Sequence, residues 1–150
     1  MKDRDMSSYR HILVALELDP ASDNHIVHKV KLLKQQYDAG VTLVHAIENL
    51  ANYGAAYGVM AGVDIEEELL KEAEKVMAEL STELGVDKKH QIVKVGPAKQ
   101  IILDEAKSVG ADLIVVGSHG RHGVRLLLGS TANAVLHSAN CDVLAVRVQD

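Results

Sequence analysis

The feature that most constrains this chain is a strict alternation of two kinds of apolar pattern. Short runs rich in branched residues, "YRHILVALEL", "VTLVHAIE", "HQIVKV", "ADLIVVGS" and "CDVLAVRV", are each bounded by Gly, Asp or Asn. Such runs mark strands. Several are apolar almost throughout instead of alternating, which is the pattern of parallel strands covered by helices on both faces.

Helical periods fill the gaps. Behind Asp64, a plausible N-cap, Ile65, Leu69, Ala73, Val76, Met77, Leu80 and Leu84 fall on one side, and Glu66, Glu67, Lys71, Glu74, Lys75 and Glu79 on the other. In "ASDNHIVHKVKLLKQQ", Ile26, Val30 and Leu33 keep helical spacing behind a Ser22/Asp23 cap. "GPAKQIILDEAKSVG" puts Pro97 in a first turn and Gly110 beyond the last. A shorter helix is expected to start near Gly129-Ser130 and to carry Ala132, Val135 and Leu136. The order β-α-β-α-β-α-β-α-β with short links predicts an open, parallel, doubly wound α/β sheet, because each crossover must be right-handed and return to the same sheet.

With 150 residues, 47% of them apolar, the chain is expected to form a single domain spanning residues 1–150. One segment has no clean period: "NLANYGAAYGVMAGV", from Asn49 to Val63, is expected to be a long loop after the second strand, of the sort that is functional or disordered.

Several classes are disfavoured. No window approaches the roughly 20 apolar residues of a membrane span, so no membrane partner is expected. The start "MKDRDMSSYR" has no apolar run behind it, and the sole cysteine, Cys141, has no partner for an intramolecular disulfide. Both point to the cytoplasm. A net charge of −5 without a concentrated basic patch argues against nucleic acid.

Chemistry concentrates in "VVGSHGRHGVRLLLGST", Val115 to Thr131. Glycine lets backbone amides approach an anion closely, so Gly117, Gly120 and Gly123 followed by a helix start at Gly129, Ser130 and Thr131 are the parts of an anion cradle. Ser130 has a second reading as a plain helix cap. A P-loop is excluded because no lysine precedes Ser130, and the dinucleotide fingerprint is missing after the first strand, which continues as "ALELDPASD". His119 and His122, with His45 at the end of the second strand, have ring nitrogens suited to metal, yet no acidic or cysteine partner stands at ligand spacing. Ser118 lacks the elbow glycine, since Val116 stands two residues before it. Arg121 and Arg125 either pair with phosphate or solvate the loop. His25 and His28 are expected to face solvent, Cys141 to be a buried inert thiol, and Asp112 to order the turn before the fourth strand.

These residues carry a resemblance over nearly the whole chain. "HILVALE", "VTLVHAIE", "VGPAKQII" and above all "GADLIVVGSHGRHGVRLLLGSTANAVLHSANCDVLAVRV" resemble the universal stress proteins. The resemblance implies a Rossmann-like five-stranded parallel sheet of order 3-2-1-4-5 and a homodimer paired through the last strand, Asp142 to Val148. In one branch it also implies bound ATP, held by the motif G-x2-G-x9-G-[ST]. Gly117 and Gly120 satisfy its first half, but only Arg121 to Leu128, eight residues, separate Gly120 from Gly129-Ser130, one fewer than the motif has.

On that resemblance the backbone at Val116, Gly117, Gly120, Gly129, Ser130 and Thr131 is expected to hold phosphates. Glu17 stands where the family has a ribose-binding aspartate, Ala15 and Ala46 border the adenine, and Mg bridges the phosphates. The role implied is regulatory, with slow hydrolysis at most. Two alternatives stand beside it. One is a family member that holds no nucleotide and acts through its dimer surfaces. The other is an adenine-nucleotide hydrolase or transferase with His119 or His122 as its base.

Overall fold

A computed structural model describes residues 8–48, 65–119 and 129–148. The elements run β1 (His11–Ala15), α1 (Pro20–Tyr37), β2 (Gly40–Ile47), α2 (Ile65–Leu84), a single 3-10 turn (Lys88–His90), β3 (Gln91–Val95), α3 (Ala98–Val109), β4 (Leu113–His119), α4 (Ser130–Ser138) and β5 (Asp142–Val148). All five strands are parallel and lie in one sheet of order β3-β2-β1-β4-β5. The expected α/β architecture and its strand order are therefore observed.

The continuous apolar strands have the expected cause. Side chains alternate across a strand, so β1 sends Ile12 and Val14 to one face and Leu13 to the other. On the first face they meet Leu43, Val115, Ile26 of α1 and Met77 of α2. On the second, Leu13 packs with Val44, Ile114, Ile102 of α3 and Val135 of α4. Burying such a side chain contributes about 1.5–3 kcal/mol each, so neither face could be left polar.

Helix ends supply the corrections. α1 begins at Pro20 behind Asp19, whose side chain accepts from the Ala21 amide, rather than behind Ser22 and Asp23. Proline fits the first helical position because its missing N–H would have had no partner there. Ser22 and Asp23 consequently lie inside the helix and are buried. Pro97 is the N-cap of α3 rather than a first-turn residue, while Gly110 ends that helix in the left-handed conformation, at φ 65°. The 3-10 turn had no sequence signal strong enough to separate it from a loop. The expected cap Asp64 and the expected loop Asn49–Val63 lie outside the described residues.

Asp112 orders its turn as expected: its carboxylate accepts from the Arg10 amide at 2.9 Å and the His11 amide at 3.1 Å, tying the start of β4 to the start of β1. Cys141 departs from expectation, being half-buried one residue before β5 instead of enclosed within it. His25 and His28 are exposed on α1. No described helix is long and apolar enough to cross a membrane.

Candidate functional site

Parallel strands all end at one edge of the sheet, and the loops leaving that edge open a crevice where the strand order reverses. Here the reversal lies between β1 and its neighbours β2 and β4. A cavity of about 750 Å³ sits over those strand ends. Six of the expected residues line it: Ala15, Glu17, Ala46, Val116, Gly117 and Thr131. Gly129 and Ser130 start the adjoining helix without forming its wall, and Gly120 lies outside the described residues, as do Gly123, Arg121, Arg125 and His122.

Helices α1, α3 and α4 begin at this edge, and each brings amides that its own helix cannot satisfy. In α1 the Asp19 side chain accepts from Ala21 N at 3.2 Å. In α3 the Glu48 carboxylate, just past β2, accepts from Ala98 N at 2.5 Å. In α4 the N-cap is Gly129, which has no side chain to give, and the first intrahelical bond runs from Asn133 N to the Gly129 carbonyl at 2.8 Å. The amides of Ser130, Thr131 and Ala132 thus have no helix acceptor and no capping side chain among the described residues. Ser130 is the first helical residue, so the reading of it as the cap does not hold.

Glycine at two positions has different reasons. A Cβ at Gly117 would stand 3.1 Å from Ile26 Cδ1 and 3.3 Å from Val148 Cγ2, so those side chains would have to give by a few tenths of an ångström to admit anything larger than glycine there. At Gly129 a Cβ would meet no described atom within 4 Å. Among the described residues, none stands against the start of α4 at Gly129.

The β1–α1 loop is held from beneath by a residue that sequence reasoning had taken for a cap. Asp23 is fully buried, and its Oδ1 accepts from the Glu17 amide at 3.2 Å. Among the described residues its Oδ2 has no hydrogen-bond partner. Burial pushes the carboxyl up to about 6, against the backbone amides of Glu17 and Leu18, which pull it down; the neighbouring Glu17 and Asp19 charges add to the rise. Leu18 takes a positive φ of 62° in this loop, which places Glu17 at the cavity.

His45, whose ring was suited to a metal but lacked an acidic or cysteine partner at ligand spacing, makes a hydrogen-bond contact with the backbone. Its Nδ1 lies 2.7 Å from the Leu16 carbonyl oxygen. His122 lies outside the described residues, and among the described residues no three His, Cys, Asp or Glu side chains cluster to hold an ion. The sequence reading also missed Glu48 and the α2 wall of the cavity, Leu69, Glu72, Ala73 and Val76. Leu69, Ala73 and Val76 were legible only as core, because a helix face that lines a cavity and one that fills a core share the same spacing.

Residues 8–147 match the model of the universal stress protein family. The chain belongs to the universal stress protein family. It is similar to universal stress protein A homolog 2 of Coxiella burnetii, 61% identical over 96% of this chain and 99% of that one. Universal stress protein A of Escherichia coli strain K12 is 29% identical over 95% of this chain and 97% of its own. Among solved structures, the hypothetical protein MJ0577 superposes with a TM-score of 0.74 at 25% identity, covering 95% of this chain and 98% of that one. A universal stress protein solved in complex with cAMP shares the fold, with a TM-score of 0.62 at 19% identity over 95% and 99% of the two chains. The family likeness spans both faces of the sheet and the whole strand edge, so the cavity belongs to the part of the chain that the universal stress proteins share.

Proposed function

We propose that this chain binds an adenine nucleotide, ATP with Mg, in the cavity over β1, β2 and β4, and that occupancy regulates a homodimer paired through β5. The observation that carries the reading is the uncapped start of α4 opening on a cavity of about 750 Å³. Unsatisfied amides at a helix N-terminus, reinforced by the helix dipole, favour a phosphate group. The volume lies within the range of about 300–1,000 Å³ common for small-molecule sites.

In this reading the amides of Gly129, Ser130 and Thr131, with backbone at Val116, Gly117 and Gly120, hold the phosphates. Glu17 takes a ribose hydroxyl, and Ala15 and Ala46 border the adenine. Mg prefers hard oxygen donors, which the phosphates supply, and the Thr131 hydroxyl that lines the cavity is of the same type. The universal stress protein solved with cAMP supports an adenine nucleotide as the ligand class. The β5 contact rests on its place at the sheet edge, where it pairs only with β4 and leaves its outer backbone groups to a second copy.

The test is a thermal melt of the purified chain with and without Mg-ATP. A ligand at a hundred times its Kd adds about 2.7 kcal/mol, which is expected as an upward shift of several degrees. No shift at millimolar ATP would overturn the nucleotide reading and leave the dimer surfaces as the seat of function.

A further inference from the structure

The sheet has two open edges, and the edge at β3 differs from the one at β5. Among the described residues β3 pairs only with β2. The Gly96 amide donates to the Ile47 carbonyl at 3.0 Å, and in a parallel ladder alternate residues face the same neighbour, so Ile92, Lys94 and Gly96 turn their backbone groups toward β2. Gln91, Val93 and Val95 turn theirs outward. The Gln91 amide is taken by the Lys88 carbonyl in the 3-10 turn. The N–H and C=O groups of Val93 and Val95 are left as the open donors and acceptors of the edge, with no strand beyond them among the described residues.

A groove of about 800 Å³ runs beside that edge, between β3 and α2. Lys71, Glu74 and Lys75 line it from one stripe of α2, Lys88 from the turn before β3, and Ile92 and Val93 from the strand. The four charged side chains are exposed. Lys71 pairs with Glu67 at 3.2 Å, whereas Lys75 and Lys88 have no ion pair among the described residues. Three lysines against one glutamate make the groove basic in a chain of net charge −5. β5, by contrast, has one charge of each sign, Asp142 and Arg147.

An unpaired edge is a template for another strand, and lysine is a common guard against self-pairing there. A second copy set edge to edge would bring lysines against lysines, and opposed like charges reject it. The same lysines attract a strand of opposite charge. We propose that the β3 edge binds an acidic, extended segment of a partner protein, which joins the sheet as an added strand: its main chain bonds to Val93 and Val95, and its carboxylates lie against Lys75 and Lys88. In strand addition the main chain supplies affinity and the side chains supply selectivity. This groove shares no lining residue with the cavity over the strand ends, so the proposal does not rest on the nucleotide reading.

The experiment titrates the purified chain with a capped, fluorescein-labelled peptide alternating valine and glutamate, long enough to run along the five residues of β3. Two control peptides accompany it. One has lysine in place of glutamate; the other keeps every charge but is N-methylated at alternate residues, which removes the N–H groups that would face β3. At low salt the glutamate peptide is expected to bind at least about tenfold more tightly than either control, the worth of a net hydrogen bond or of reversed surface charges. Residue-resolved hydrogen exchange should show the Val93 and Val95 amides slowed by the peptide, with β5 unchanged. Lys75→Glu combined with Lys88→Glu, at two exposed positions, should weaken binding by about tenfold. Val93→Pro should weaken it as much, because proline removes an outward N–H and no ladder bond.

Equal binding of the lysine peptide would overturn the charge assignment, and equal binding of the N-methylated peptide would overturn strand addition. Protection at β5 instead of β3, or no binding at millimolar peptide, would overturn the proposal as a whole. Protection of Val93 and Val95 that grows with protein concentration alone would give the edge to a second copy and do the same. If Val93→Pro does not fold, the lysine variant and the N-methylated peptide still decide the outcome.

Discussion

The starts of α3 and α4 lie at the same edge of the sheet, point the same way and carry the same dipole, yet they are finished differently. At α3 the chain supplies its own anion, the Glu48 carboxylate 2.5 Å from Ala98 N. At α4 it supplies none: Gly129 stands at the cap and no side chain accepts from the first turn among the described residues. Both helices touch the cavity, through Ala98 and Ile102 of α3 and Thr131 and Ala132 of α4. A helix N-terminus attracts an anion through what its own sequence leaves unmet, so the comparison favours α4 over α3 as the anion pole of the proposed site.

The strongest way to break this contrast is to make α4 resemble α3. Gly129→Asp places a carboxylate at the cap, where φ is −55° and a Cβ would meet no described atom within 4 Å, so the substitution fits the backbone. An aspartate cap stabilises a helix start by a few tenths to about 1 kcal/mol relative to glycine. The same charge would face the phosphates, and opposed like charges cost several kcal/mol. The expected outcome is a fold as stable as wild type or slightly more so, with ATP affinity in calorimetric titration reduced by about 100-fold. Undiminished ATP binding by a well-folded Gly129→Asp protein would mean that the phosphates do not lie at α4.

This contrast was only half legible in the sequence. The strands and helices were, because apolar runs such as "ADLIVVGS" and the spacing from Ile65 to Leu84 report a covered sheet and an amphipathic face directly. Gly129 and Ser130 were also legible as a helix start, since glycine and serine are both favoured at helix N-termini. What could not be read was long-range: that Glu48 reaches across 50 positions to Ala98, that Asp23 turns inward under Glu17, or that Ile26 and Val148 crowd Gly117. Each depends on which loops meet at the strand ends, and no local period encodes that. His45 illustrates the same point, since its Nδ1 lies 2.7 Å from the carbonyl oxygen of Leu16, just past β1, a contact that no spacing within β2 announces.

The third helix start sharpens the comparison at an intermediate size. α1 has two carboxylates near its N-terminus, Asp19 at the cap and Asp23 one turn on, and the second is buried with Oδ2 unpartnered among the described residues. Its carboxyl, raised from 3.8 to about 6, binds its proton more tightly in the folded chain than in the unfolded one. Its contribution to stability is therefore fully present below pH 3.8 and is lost as pH rises through about 6. Asp23→Asn has no such titration. In urea melts, the stability of wild type relative to Asp23→Asn is expected to fall by about 2 kcal/mol between pH 4.5 and 7, leaving the variant ahead at neutral pH. A difference that stays flat across that range would mean that the buried carboxyl is ionised throughout.

The smallest effect tests the closed end of the contrast. Glu48→Ala removes the carboxylate from Ala98 N and leaves the start of α3 as open as that of α4. Loss of an N-terminal cap of this kind costs about 1 kcal/mol, to be read as a lower urea midpoint with an unchanged slope. The consequence for binding runs the other way. Glu48 lines the same cavity, so deleting its charge removes a repulsion from the polyphosphate, and ATP affinity is expected to rise by about two- to fivefold at low salt, less at high salt. If affinity instead fell in step with stability, Glu48 would be acting on the ligand through the β2 end that it anchors, and the two helix starts would not be independent. If stability fell with affinity unchanged, the α3 start and the phosphate would lie more than a Debye length apart, which would confine the anion to the far side of α4.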